Sequence, residues 1–254
     1  RLDIAHSSNM PVTLVFLPAS DIATYVASGN VDLGITGEDI VAESEAYVNI
    51  ILKLGFGKCN LSVQAPEVEG IDARGLAGKR IVTSFPNVTR KFFGAYETPG
   101  QPTQIKFVSG SVEAACGLGL ADGIVDLVET GTTMRAAGLA EIAVVMRSQS
   151  VLIANPHTRH AELIEVIRKR IAGYLTAKSW LMVSYNVERK NLSSVVQITP
   201  GKRSPSMQPL EDPNWVAVSA LVHKKEAACV MDRLEAAGAT DILLMDIESS
   251  RMGD

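Results

Sequence analysis

The stretch "DGIVDLVETGTTMRAAGLAE", residues 122–141, runs an apolar segment into a hydroxyl-rich turn and then into a helix former. Residues 124–128 read as a buried strand, Glu129 to Thr133 as the turn, and Met134, Arg135, Ala136 and Ala137 as the helix that follows. A strand handed directly to a helix is the repeating unit of an open α/β sheet.

Working outward, the same alternation recurs. Upstream, "KRIVTSFPN" reads as strand and turn, "VTRKFFGAYE" as helix, "TQIKFVSG" as strand and "SVEAACGLGLADG" as helix. An earlier set has strands at 13–16 and 32–36, a helix capped by Asp21 and closed by Gly29, and a helix from about Glu38. After the opening stretch, "EIAVVMRSQSVLIANP" predicts two more strands and a return to the first set, and "HTRHAELIEVIRKRIAGYLTAK" a long helix. Two α/β lobes with return crossings leave a cleft between them, a usual place for a ligand. From Ser179 the order becomes βαββαβ, a ferredoxin-like module. In its second helix Ala227, Ala228, Val230, Met231 and Leu234 form the apolar face, with Gly238 as the stop. Trp180, Met182 and Tyr185 read as strand packing rather than a platform for bases.

Composition narrows the function. At 254 residues with 46% hydrophobic residues the chain can bury more than one core. No apolar run approaches the about 20 residues that span a bilayer, so no membrane role is expected. The net charge of -4 and scattered basic residues give no nucleic-acid footprint. Cys59, Cys116 and Cys229 are odd in number and far apart, which fits a reducing cytoplasm better than a disulfide framework. His157 and His160 lack a third ligand at matching spacing, so no protein-held metal is expected. The chain opens at Arg1 with a strand already under way, from which we expect an earlier strand of the first lobe to be missing.

The chemistry of the opening stretch has two readings. Backbone N–H groups and hydroxyls around Gly131 suit a phosphate monoester. Asp126 can accept hydrogen bonds from sugar hydroxyls, and Asp122 or Glu129 can assist or face a hydrated magnesium. Phosphate beside vicinal hydroxyls describes a phosphorylated ribose. Equally, Thr130, Thr132 and Thr133 can simply cap a helix and Asp122 a turn.

"SGSVEAACGLGLADGIVDLVETGTTMRAAGL" resembles the signature of the ATP phosphoribosyltransferase family: a glutamate, Gly-x-Ala-Asp, a strand ending in Asp, then Thr-Gly-x-Thr followed by Leu or Met. The resemblance extends to "VDLGITGEDIVAES", "LGFGKCNLSV", "KRIVTSFPNVTRKFF", "ITPGKRSPSMQPLEDPNWVAVSALV" and "ATDILLMDIE", and so to the family's long form. It implies two periplasmic-binding-protein-like α/β lobes plus a C-terminal βαββαβ, ACT-like regulatory domain. The implied division is 1–57 with 148–174 for the first lobe, 58–147 for the second, and 175–254 for the regulatory domain.

The implied activity is transfer of 5-phosphoribosyl from phosphoribosyl pyrophosphate to N1 of ATP, with Mg2+ mainly on the substrate and histidine as feedback inhibitor. A cytoplasmic homo-oligomer, dimer to hexamer, is also implied. By the same resemblance Glu129, Thr130, Gly131, Thr132 and Thr133 hold the 5-phosphate, with Asp122 nearby, and Asp126 meets the ribose hydroxyls. Glu113 faces the nucleotide, and Asp39, Arg90 and Lys91 line the nucleotide cleft. Ser184, Pro205, Ser206 and Ala217 lie in the effector pocket. Without the resemblance, Glu113 is an ordinary acid at a helix start, "TGED" around Asp39 a good helix opening, and Arg90 and Lys91 solvent-facing cations. Relatives often carry Asp near Ser184, so serine here implies weaker or rearranged inhibition. A non-catalytic two-lobed solute-binding protein and an inactive regulatory relative are the alternatives; the first gives no reason for Asp126 to precede a phosphate turn.

Overall fold

A computed structural model describes residues 3–67 and 71–251. Contacts divide the chain into two units, Arg1–Ile164 and Glu165–Asp254. The division falls inside a long helix, earlier than the expected boundary at 174.

The first unit opens with a hairpin, β1 (Ile4–His6) and β2 (Thr13–Val15), followed by α1 (Ala19–Ala27), β3 (Leu33–Gly37), α2 (Glu38–Ser44) and β4 (Asn49–Lys53). Asp21 lies in the first turn of α1 rather than at its cap, because the helix already starts at Ala19. Next come β5 (Cys59–Pro66), α3 (Ala73–Leu76), β6 (Arg80–Thr83), α4 (Pro86–Gly94), β7 (Gln104–Phe107), α5 (Ala114–Gly117), β8 (Gly123–Val128), α6 (Thr132–Ala136), β9 (Leu139–Ser148) and β10 (Ser150–Ala154). The segment expected to be helical over 111–123 supplies only α5, since its glycines favour turns: Gly119 sits at φ 69°.

Two sheets form the two lobes. One is three-stranded, β3-β10-β4; the other is five-stranded, β7-β6-β8-β5-β9. In each, the strand arriving from the other lobe runs against its neighbours. β10 is antiparallel to β3 and β4, and β5 is antiparallel to β8 and β9, while β6 is parallel to β7 and β8. Such a mixed sheet is what two strand crossings produce, because a crossing strand has no helix to reverse it.

The larger sheet is buried on both faces. Leu61, Val63, Ile81 and Val125 pack with Phe85 and Phe93 on one side, and Val82, Ile124, Val112 and Met134 form the core on the other. Phe93 meets Phe92 edge-on, ring centroids 5.3 Å apart, a favoured aromatic geometry. The β5 residues on the second face are polar yet buried: Ser62 and Gln64. The lobes are also tied away from the crossings, where the Glu43 carboxylate of α2 accepts from the Asn87 and Val88 N–H groups at 2.9–3.0 Å. That satisfies donors that the first turn of α4, opened by Pro86, leaves without intrahelical partners.

The long helix α7 (Ala161–Ser179) leads to β11 (Trp180–Glu188), α8 (Leu192–Ile198), β12 (Ser206–Pro209), β13 (Trp215–His223), α9 (Ala227–Ala236) and β14 (Ala239–Asp246). The sheet order β12-β13-β11-β14 is antiparallel throughout and has the expected ferredoxin-like arrangement. Val183, Tyr185, Val218, Val195 and Leu234 fill the space between sheet and helices. Tyr185 keeps its hydroxyl satisfied through Thr199 Oγ1 at 2.7 Å. On α9, Ala227, Val230 and Leu234 are buried, whereas Ala228 is exposed, which narrows the expected apolar face to a stripe.

Candidate active site

The acid end of β8 is built by register. Asp126 stands opposite Ser62, and Val128 opposite Asn60, which in turn pairs with Arg147 of β9. Cross-strand partners share a face, so Asp126, Ser62, Asn60, Val128 and Arg147 lie on one side of the sheet. Leu127 N–H donates to Asp126 Oδ1 at 2.8 Å, and Gln64 Nε2 donates to the Asp126 carbonyl at 3.2 Å. Burial pushes the Asp126 carboxyl up; the Leu127 hydrogen bond opposes this, and the charge of Glu113 adds to it. Glu113 and Asp126 therefore act on one another, although α5 and β8 are separate elements. Ser111, at φ 47°, turns the chain just before Glu113.

Beyond Val128 the chain makes the turn that the sequence predicts. Gly131 sits at φ 72°, the left-handed region that glycine enters without strain. A Cβ there would lie 2.7 Å from Arg135 Nη1. Arg135 Nη2 donates to the Thr130 carbonyl at 2.9 Å, and the Thr130 and Thr132 hydroxyls are 3.0 Å apart. Arg135 thus holds the turn's shape from within.

A cavity of about 370 Å³ adjoins this turn at Glu129. The first lobe lines it with Glu38 and Lys53, and the second with Lys58, Cys59, Arg147 and Ser148. Lys53 is paired with Glu38 at 2.8 Å, whereas Lys58 and Arg147 have no ion pair among the described residues. Asp39, 4% exposed, sits at the crossing: its N–H donates to Ser148 Oγ at 3.1 Å, and Ser148 Oγ donates to its Oδ1 at 2.5 Å. Burial, and after it the Asp39 charge, pushes the Cys59 thiol up.

The remaining sequence candidates lie elsewhere. Asp122 immediately precedes β8 at its opposite end, bound to Arg80 Nε, Nη2 and N–H at 2.8–3.1 Å. These Arg80 bonds hold its carboxyl at about 2. Arg90 donates to Asn87 Oδ1, and Lys91 pairs with Glu45 at the α2–α4 contact. In the second unit Ser184 and Ser219 hydroxyls are 3.1 Å apart, Ser206 pairs with Ser219, and Ala217 is further along β13. Pro205 immediately precedes β12.

Sequence reasoning did not find Lys58, Arg147 or Ser148. No spacing connects residues in the fifties with those in the late one-forties; only the pairing of β5 with β9 does. Among the described residues no group of three or more His, Cys, Asp or Glu is placed to hold a metal ion, and no helix is long and apolar enough to cross a membrane.

Two α/β lobes joined by paired strand crossings, with a ferredoxin-like module following them in the chain, define a class of two-lobed α/β proteins with a C-terminal accessory domain. The model of the ATP phosphoribosyltransferase family matches residues 18–173, and that of the HisG C-terminal domain matches residues 177–249. The ATP phosphoribosyltransferase of Yarrowia lipolytica is 48% identical over 99% of this chain and 86% of its own length. That of Saccharomyces cerevisiae is 45% identical over the same shares. Among solved structures, the ATP phosphoribosyl transferase (HisG:HisZ) complex from Thermotoga maritima matches at 28% identity and a TM-score of 0.53, over 61% of this chain and 74% of that one. The chain belongs to the ATP phosphoribosyltransferase family, in its long form.

Proposed function

We propose that this enzyme transfers the 5-phosphoribosyl group of phosphoribosyl pyrophosphate to N1 of ATP at the acid end of β8. The observation that carries the assignment is Asp126 and the Gly131 turn on one strand end, with Lys58 and Arg147 at the cavity beside them. The turn from Glu129 to Thr133 offers N–H and hydroxyl donors to the 5-phosphate. The ionised Asp126 carboxylate accepts from the ribose hydroxyls and fixes the ring. Glu113, acting on Asp126, faces the nucleotide side.

In the reaction the adenine N1 lone pair forms a bond to the anomeric carbon while the bond to the pyrophosphate oxygen breaks. The bonding electrons leave with pyrophosphate, and the configuration inverts. Charge accumulates on the leaving group and the sugar carbon becomes cationic, so positioning and charge stabilisation lower the barrier and no covalent nucleophile is needed. Lys58 and Arg147 are the cations available to the departing pyrophosphate, and a magnesium ion carried by the substrate would add charge stabilisation there. Asp39, held by Ser148, shapes the crossing beside this cavity. Arg90 and Lys91, engaged at the α2–α4 contact, join the nucleotide side only by exchanging those partners.

Residues 175–254 serve as the regulatory domain. L-Histidine binds near Ser184, Pro205, Ser206 and Ala217 and inhibits a cytoplasmic homo-oligomer through its differential affinity for two states. The test is to mix the protein with ATP, phosphoribosyl pyrophosphate and Mg2+, with and without L-histidine. Phosphoribosyl-ATP and pyrophosphate should form together, and more slowly with histidine. No product would refute the transfer, and an unchanged rate at saturating histidine would refute the regulatory reading alone.

A further inference from the structure

Ser62 is 0% exposed, and its hydroxyl has no hydrogen-bond partner. A buried hydroxyl without a partner costs stability, and most such groups in folded proteins are satisfied. This one lies directly opposite Asp126 in the β5–β8 pair, on the same face of the sheet. The Cβ atoms of such a pair are about 5 Å apart, and a serine hydroxyl has three staggered positions to choose from. A rotation of Ser62 about χ1 is therefore enough to aim its proton at the Asp126 carboxylate.

We propose that Ser62 is a positioning residue for Asp126: its buried hydroxyl turns to donate to the ionised carboxylate and holds it toward the ribose hydroxyls. The inference rests on Asp126 being the acid that meets the ribose. It also explains why the middle of β5 carries serine on a face where Ile124 and Val82 are apolar. The neighbours leave few other donors. Leu127 N–H already serves Oδ1, and Gln64 Nε2 is used by the Asp126 carbonyl. Glu113 is the charged group that acts on Asp126, and it opposes ionisation. On β6 the one charged residue, Arg80, is bound to Asp122 at the far end. Arg135 of α6 is bound to the Thr130 carbonyl. On β5 the titratable group is Cys59, whose thiol burial keeps protonated. Asn60 of β5 and Arg147 of β9 share this face but stand opposite Val128, two residues further along, so Ser62 is the donor directly across from Asp126.

The test is the pH profile of kcat/KM for phosphoribosyl pyrophosphate in the full chain. The acidic limb should move up by about one pH unit in Ser62→Ala, as expected for a lost hydrogen bond to a charge. KM should rise more than kcat falls. Ser62→Cys, which keeps a weak donor of similar size, should shift the limb in the same direction by less. The substrate's own ionisation is common to all variants and cancels in the comparison. Asp126→Asn should remove the limb. If it does and Ser62→Ala leaves the limb unmoved, Ser62 has no such role, although Asp126 keeps its own. If Asp126→Asn retains a normal limb, the reading of Asp126 fails and the role of Ser62 with it.

Discussion

Asp122 and Asp126 flank and belong to one strand, and their surroundings make them opposite in character. Asp122 is held by three hydrogen bonds from Arg80 at the strand's start and stays ionised down to about pH 2. Asp126 is more buried, receives one backbone hydrogen bond, faces Glu113 and has its carboxyl pushed up. A carboxylate whose donors are all supplied by the protein is a brace. One left short of donors keeps acceptor capacity for a ligand, and burial makes that capacity count for more.

The contrast breaks most sharply at Asp126. Asp126→Asn should lower kcat/KM for phosphoribosyl pyrophosphate by about a hundredfold or more, since hydrogen bonds to a charged acceptor are lost. The same change should raise thermal stability slightly at neutral pH. The sign follows from linkage: a carboxyl raised in the fold is best tolerated protonated, so its stability contribution is lost as pH rises through the folded value. Steady-state kinetics and thermal melts on one preparation check both effects. Near-normal kinetics would erase the functional half of the contrast.

Gly131→Ala should have an intermediate effect. The alanine meets the positive φ, which costs about 1–2 kcal/mol, and displaces Arg135 from its place against the turn. KM for phosphoribosyl pyrophosphate should rise about tenfold while kcat changes less, as initial-rate measurements would show. The smallest effect belongs to Asp122→Asn. Its side chain is 35% exposed, so after solvent screening the loss should be only about 1 kcal/mol at neutral pH. Because the folded carboxyl is lowered, that contribution is complete above the ordinary aspartate range and vanishes as pH falls through about 2. Urea unfolding at neutral and strongly acid pH should show the wild type and variant converging. A large kinetic defect would instead bring Asp122 back toward the substrate.

Much of this was legible in local pattern. The strand–turn–helix around Gly131, the strand pair over 139–154 and the βαββαβ order after Ser179 follow from alternation, apolar periodicity and glycine placement. β4 and β5 are not among the strands read from the sequence, because "NIILK" and "CNLSVQAP" flank the glycines of 55–57 and β5 interleaves buried polar residues, Ser62 and Gln64, with its apolar ones. For the candidate site, Asp126 and the turn were accessible because they adjoin in sequence. Lys58, Arg147 and Ser62 were not, because each reaches its place through strand pairing.

The order of residues by itself determined where strands, turns and helices form and that a carboxylate precedes a hydroxyl-rich turn, because these depend on neighbours within a few positions. Only the tertiary structure decided which carboxylate is a brace and which lacks donors. It also set the cations beside the turn and placed Ser62 opposite Asp126. Those outcomes depend on burial and on the antiparallel register of β5, which are fixed by contacts between residues far apart in the chain.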